Sequence, residues 1–164
     1  MYNMVYNIQI GSYKLGMLES VEIHKSVDLL ADTAEIVCPG IVYNQPLQLE
    51  DRVKVGDKVS VMFGYNDNLV NEFEGYLQRI DTDDNSLTFH CEDAMYLTRK
   101  SVKNKQLKQT SIKDIAEYCL SQIGMKGLNC TYNITYEKFV INNASAYDVF
   151  KKLQEDTKAN IYMQ

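Results

Sequence analysis

A chain of 164 residues, 45% apolar and 24% charged, has the composition of a folded domain or two small ones and not of a disordered segment. Its formal charge of −5 argues against a nucleic-acid platform, which would be basic. No apolar run reaches the length of a membrane helix, and Met1-Tyr2-Asn3-Met4 lacks the basic start and apolar core of a signal peptide, so neither membrane insertion nor export is predicted.

The first hundred residues alternate with a period of two. Met4, Tyr6, Ile8 and Ile10 oppose Val5, Asn7 and Gln9 until Gly11-Ser12 ends the run. Val21, Ile23 and Lys25 oppose Glu22, His24 and Ser26, and the stretch Ser26–Asp32 reads as a loop. Ala34, Ile36 and Cys38 oppose Glu35 and Val37 before Pro39-Gly40 stops them. An irregular crossing with Pro46 follows. Then Gly56-Asp57 launches a strand with Val59, Val61 and Phe63 on one face. The segment Gly64-Tyr65-Asn66-Asp67-Asn68 turns the chain, Phe73, Gly75, Leu77 and Arg79 share the next face, and Asp81 to Ser86 turns it again into Leu87 and Phe89. Six or seven such strands predict an antiparallel barrel over 1–100, because a half-buried meander must curl or pack to cover its apolar face. The 12 tyrosines suit a β-rich assembly protein.

From Arg99 to Lys108 the composition shifts to five positive charges with few apolar residues, which reads as a solvated linker. A small α+β domain with two helices is predicted over 101–164. Thr110 or Ser111 caps a helix of about 110–123, with Asp114 completing a capping box, an apolar stripe of Ile112, Ile115, Ala116, Cys119, Leu120 and Ile123, and Gly124 as the stop. Strands are predicted through Cys130–Ile134 and Phe139–Ile141. A second helix of about 145–158 buries Ala146, Val149, Phe150 and Leu153, and Ile161-Tyr162-Met163 opens another strand.

Several motifs resemble phage tail baseplate hub proteins, the group that includes late control protein D and the hub part of type VI secretion spikes. They are Val53-Lys54-Val55-Gly56-Asp57-Lys58-Val59, Phe63-Gly64-Tyr65, Phe73-Glu74-Gly75-Tyr76-Leu77, Cys91-Glu92-Asp93-Ala94-Met95-Tyr96-Leu97 and Ala146-Tyr147-Asp148-Val149-Phe150-Lys151-Lys152-Leu153. The likeness spans most of the chain and is weakest before Val21. It gives Gly56, Asp57, Gly64, Phe73, Gly75, Glu92 and Asp93 structural positions in the family motif. It further implies a virion structural protein that joins the tail tube to the central spike, a homotrimer when intact, assembled in the bacterial host cytoplasm. Hub proteins place a second barrel after the helical domain, and this chain stops at Ile161-Tyr162-Met163-Gln164. The expectation is therefore part of a hub, monomeric or weakly oligomeric in dilute solution.

The search for chemistry gives no catalytic, cofactor or metal assignment. Cys38, Cys91, Cys119 and Cys130 form no Cys-x-x-Cys pair and read as small buried hydrophobes. Asp81, Asp83, Asn85 and Glu92 have calcium-loop spacing, but Ser86 stands where that loop needs glycine and the flanks alternate like strands. His24 and His90 read as strand histidines. Glu72, Glu74 and Glu92 as a glycosidase pair lack any sign of a pocket, and a solvated strand face is the plainer reading. The sequons at Asn129, Asn133 and Asn143 carry no weight without a secretory signal. Two alternatives to the hub remain: a small barrel binding cell-wall glycan, which would want clustered exposed aromatics, and a hydrolase, which would want a convergent acid–base set. The chain is predicted not to be an enzyme and not to need calcium.

Overall fold

The computed structural model describes residues 4–42, 45–46, 52–66, 68–83 and 85–163. The chain divides into two units, Met1–Tyr96 and Leu97–Gln164.

In the first unit, β1 (Met4–Ile10), β2 (Tyr13–Lys14), β3 (Ser20–His24), β4 (Thr33–Pro39), β7 (Lys58–Tyr65), β8 (Asn68–Thr82) and β9 (Ser86–Glu92) make one antiparallel sheet. Its order is β2-β1-β7-β8-β9-β4-β3. Between β4 and β7, β5 (Ile41–Val42) and β6 (Gln45–Pro46) pair with each other. The register explains the core. Ile8 lies opposite Val61 and Val61 opposite Phe73, Ile10 opposite Val59, and Ile36 opposite Phe89, so one face collects the buried apolar side chains. Leu15, Ala34, Cys38, Val53, Leu77, Leu87 and Cys91 fill the rest of that cluster. Each large side chain so buried contributes roughly 1.5–3 kcal/mol, which is why the two-residue period is followed so closely here.

Among the described residues no ladder joins β2 to β3, so what stands of the predicted barrel is a seven-stranded antiparallel sheet without hydrogen-bonded closure. The register of β8 corrects the sequence reading. Arg79 does not face the core. Leu77 pairs with Cys91 but Arg79 pairs with His90, so the register slips past Gln78. That bulge hands the inner face to Ile80, which packs on the core, and leaves Arg79 exposed beside Asp81 at 2.9 Å. A second slip skips Glu72, because Val61 pairs with Phe73 and Met62 with Asn71. Asp67 and Asp84, read as turn residues, lie outside the described residues.

A short 3₁₀ helix, Ala94–Thr98, leads into the second unit, which holds β10 (Lys105–Ser111), α1 (Ile112–Gln122), β11 (Thr135–Ile141) and α2 (Ala146–Thr157). β10 and β11 form a two-stranded ribbon, and α1 packs against α2 and β10. The buried faces are those the 3.6-residue spacing predicts: Ile112, Ile115, Ala116, Cys119 and Leu120 on α1, and Ala146, Val149, Phe150 and Leu153 on α2. The predicted linker is wrong over its second half, because Lys105–Lys108 is strand paired to residues some thirty positions on. Composition marks charge but not a distant partner. Cys130–Ile134 and Ile161–Met163 are not strands either.

Both helices start on the same device. Ser111 Oγ accepts the Asp114 amide at 3.1 Å while Asp114 Oδ2 takes the Ser111 amide at 3.0 Å and its hydroxyl at 2.7 Å. Ser145 and Asp148 repeat it at 3.1, 2.8 and 2.6 Å. Hydrogen bonds from the serine hydroxyl, then from its amide, hold both aspartates below the usual carboxylate range. A depressed folded-state value means that the contribution is present above the unfolded carboxylate's pKa and is lost as pH falls through the folded one. Acid titration of the second unit by circular dichroism should therefore show helix loss on the acid side, and Ser145→Ala should cost about 1 kcal/mol at neutral pH. An acid limb identical in the Asp148→Asn variant would contradict the assignment.

Trypsin should cut first outside the ribbon. Lys25 and Lys126 are exposed and lie outside helix and strand, whereas Lys105 and Lys108 are in a paired strand. Early cleavage at Lys105 or Lys108 would show that β10 is only marginally held.

Candidate functional site

Five of the seven motif residues meet in one place. Gly56 has a φ of +93°, which an L side chain rarely adopts, so the turn needs glycine. The turn is closed by Asp57 N to Lys54 O at 2.9 Å and Lys54 N to Asp57 Oδ2 at 2.8 Å. It is bonded to β8 through Gly56 N to Leu77 O at 2.7 Å and Leu77 N to Asp57 O at 2.8 Å. Two residues before Leu77, Gly75 lies under the end of β9: a Cβ there would sit 2.1 Å from Glu92 O. Glu92 is buried. Asp93 then ties the strand end to the loop before β4, accepting from Asp32 N at 3.1 Å and from Met95 N at 2.9 Å and donating its amide to Asp32 O at 3.0 Å. Burial pushes the Asp93 carboxyl up, the amides of Met95 and Asp32 oppose this, and the charges of Asp32 and Glu92 add to it. Tyr76 stacks on Tyr96 with centroids 5.6 Å apart. The node locks the point where β8 passes from β7 to β9.

The other two motif residues sit on the β7–β8 hairpin. Phe73 is buried opposite Val61. Gly64 faces Leu69, and a Cβ on it would lie 1.7 Å from Asn68 O, so the backbones approach too closely for any side chain. Beyond Phe73 the inner face continues with two more rows. Tyr6, Phe63 and Val70 are opposite one another, as are Met4 and Tyr65. Phe63 still packs on the core, but around it the rows are exposed: Met4 is 61% exposed, Tyr65 58% and Val70 58%. The same hairpin has open edges. β9 takes β8 only from Tyr76 to Thr82, and β2 takes β1 only at Gln9 and Ile10. Among the described residues no strand lies along β8 from Asn68 to Gly75 or along β1 from Met4 to Asn7, whereas Ile8 O accepts from Leu15 N at 2.9 Å. Exposed apolar side chains beside strand edges that no described residue pairs are chemically a protein-docking surface. Of these rows only Met4, Tyr6 and Phe63 were legible from the period of the sequence, since Tyr65 reads as a turn residue and Val70 lies beyond a register slip. Their exposure was not legible, because it depends on where the opposing core stops.

The remaining candidates do not converge. His90 lies between Asp81, at 3.0 Å from Nε2, and Glu35, at 3.4 Å from Nδ1, while His24 is 3.1 Å from Glu22. Asp81 is thus held by Arg79 and His90, and the calcium-spaced residues are flanked by β8 and β9, not helices. Burial pushes the thiols of Cys38, Cys91 and Cys119 up to about 11, 12 and 12, leaving them protonated and inert near neutrality. Glu72 and Glu74 are exposed on β8, and Glu92 is buried at the far end of β9.

No protein-family model matches this chain, and no curated protein does. Solved structures do. The 43 kDa tail protein of prophage MuSo2 from Shewanella oneidensis superposes with a TM-score of 0.56 at 14% identity, over 94% of this chain and 48% of that one. A tail protein of Neisseria meningitidis MC58 gives 0.55 at 14% identity, over 98% and 48%. The half-lidded Francisella PdpA–VgrG complex gives 0.53 at 13% identity, over 95% and 28%. The chain spans about half the length of the two tail proteins. Over most of its length, therefore, this chain has the fold found in these tail proteins and in a VgrG complex.

Proposed function

We propose that this chain is a structural part of a phage or prophage tail baseplate hub, joining the tail tube to the central spike. In this reading it belongs with the late control protein D group of contractile injection systems and carries out no reaction. The observation that carries it is the apolar, open-edged hairpin face of β1, β7 and β8, set on a fold shared with tail proteins. A subunit that transmits force needs fixed geometry and wide contacts, and unpaired strands beside apolar rows supply both. In the assembled hub the sheet of the first unit curls into the family's barrel, the complete protein is a homotrimer, and its partners are tube and spike proteins. Assembly takes place in the host cytoplasm and the product resides in the virion tail. Neither nucleic acid nor membrane is a direct partner.

The test is substitution on the face. Met4→Lys with Val70→Lys changes two exposed side chains and should leave the isolated chain's stability within about 0.5 kcal/mol. Losing two interface anchors should lower the yield of assembled tails by roughly a hundredfold. Normal tail yield from the folded double variant would remove this face from assembly and with it the proposal.

A further inference from the structure

The two units carry opposite charge. Residues 1–96 hold 16 acidic and 6 basic residues, net −10, while residues 97–164 hold 6 acidic and 11 basic residues, net +5. The overall −5 hides this split. In the second unit two of the positive charges stand where they repel. Lys108 on β10 lies directly opposite Lys138 on β11, and both are exposed. Like charges directly opposite on one sheet face repel. Neither lysine has an ion pair among the described residues. On the same face the next row is Gln106 opposite Val140, and Val140 is 53% exposed. The other face of the ribbon is the packed one, with Leu107 half-buried and Phe139 and Ile141 buried. An exposed two-lysine row beside an exposed valine is suited to an acidic protein surface with an apolar element.

The first unit offers such a surface. Along the open edge of β8 a groove of about 190 Å³ is lined by Asp32, Glu72, Glu74 and Asp93, with Lys25 the cation among its lining residues and Asn71 and the buried Phe73 completing the lining. The geometry points to the outer face of the β10–β11 ribbon as a docking surface for the acidic groove of the first unit in a second copy of this chain. The inference rests on the proposed structural role and names one contact within it. A second copy is favoured over a polyanion such as duplex DNA because a phosphate backbone would match the lysines but offer nothing to the exposed Val140 beside them. Contact between unlike surfaces is heterologous, and repeated around an axis it closes a ring.

Sedimentation velocity of the full 164-residue chain, from micromolar to near-millimolar concentration, tests this. At about 0.02 M salt the mean mass should rise with concentration, and at about 0.3 M salt the association should weaken roughly tenfold, because surface charge pairs are screened. Lys108→Glu with Lys138→Glu, checked for folding by circular dichroism, should remain monomeric. Mixing that variant with Glu72→Lys/Glu74→Lys should restore association between the two. A wild-type chain that stays monomeric at low salt, or association unchanged by the lysine variant, overturns the inference. So does tight binding of duplex DNA that the lysine variant abolishes, since the ribbon's partner would then be phosphate. None of these outcomes touches Met4 or Val70, so the hub reading and this contact fail separately.

Discussion

Replacing Gly75 by alanine is expected to destabilise the first unit by at least about 3 kcal/mol, lowering its melting temperature by more than about 10 °C. The added Cβ would meet Glu92 O at 2.1 Å, Glu92 C at 2.7 Å and Phe73 Cζ at 2.8 Å. Two of these atoms are backbone and cannot turn away as a side chain could. Moving Glu92 would disturb the Tyr76–Glu92 pairing and, next to it, the three hydrogen bonds that join Asp93 to Asp32 and Met95. Gly16→Ala is the matched control: nothing lies within 4 Å of its Cβ position, and its melting curve should be unchanged. A Gly75→Ala loss below about 1 kcal/mol would mean that the end of β9 can slide and that the node is not rigid.

Phe89→Ala should cost about 3–5 kcal/mol in chemical denaturation of the chain. Phe89 is fully buried, with Ile36 opposite it on β4 and Ile80 opposite it on β8. Its neighbours are held by ladders on both sides, so they cannot collapse into the space left behind. The Ile80 contact exists only because of the bulge at Gln78, so the variant also tests that register. A cost near that of a half-buried residue, about 1 kcal/mol, would place the centre of the core elsewhere.

The sequence made much of this legible. Period-two alternation located β1, β4, β7 and β9 and most of their buried residues, because each strand has one covered face. The serine caps of both helices were readable from the Ser-x-x-Asp spacing. The Gly56-Asp57 turn and Gly75 could be recognised as motif positions, but not that they meet, since Gly56 and Leu77 come together only through the strand order. Register slips were invisible: Arg79 continues the alternation on paper, and only the pairing with His90 shows that Ile80 takes its place. The lysine-rich stretch looked like a linker because its partner strand is distant in sequence. The docking face was hidden for a related reason. Met4, Tyr6 and Phe63 continue the pattern of Ile8 and Val61, Val70 joins them only through the slip at Glu72, and nothing local says where the opposing core ends.

Cryo-electron microscopy of assembled tails containing this protein tests the structural-hub claim most directly. The account predicts density for the seven-stranded sheet in a ring about the tail axis, between tube and spike, with the β1–β7–β8 face against a neighbouring subunit. Tails that lack the chain, or a chain bound elsewhere with that hairpin face open to solvent, would contradict it.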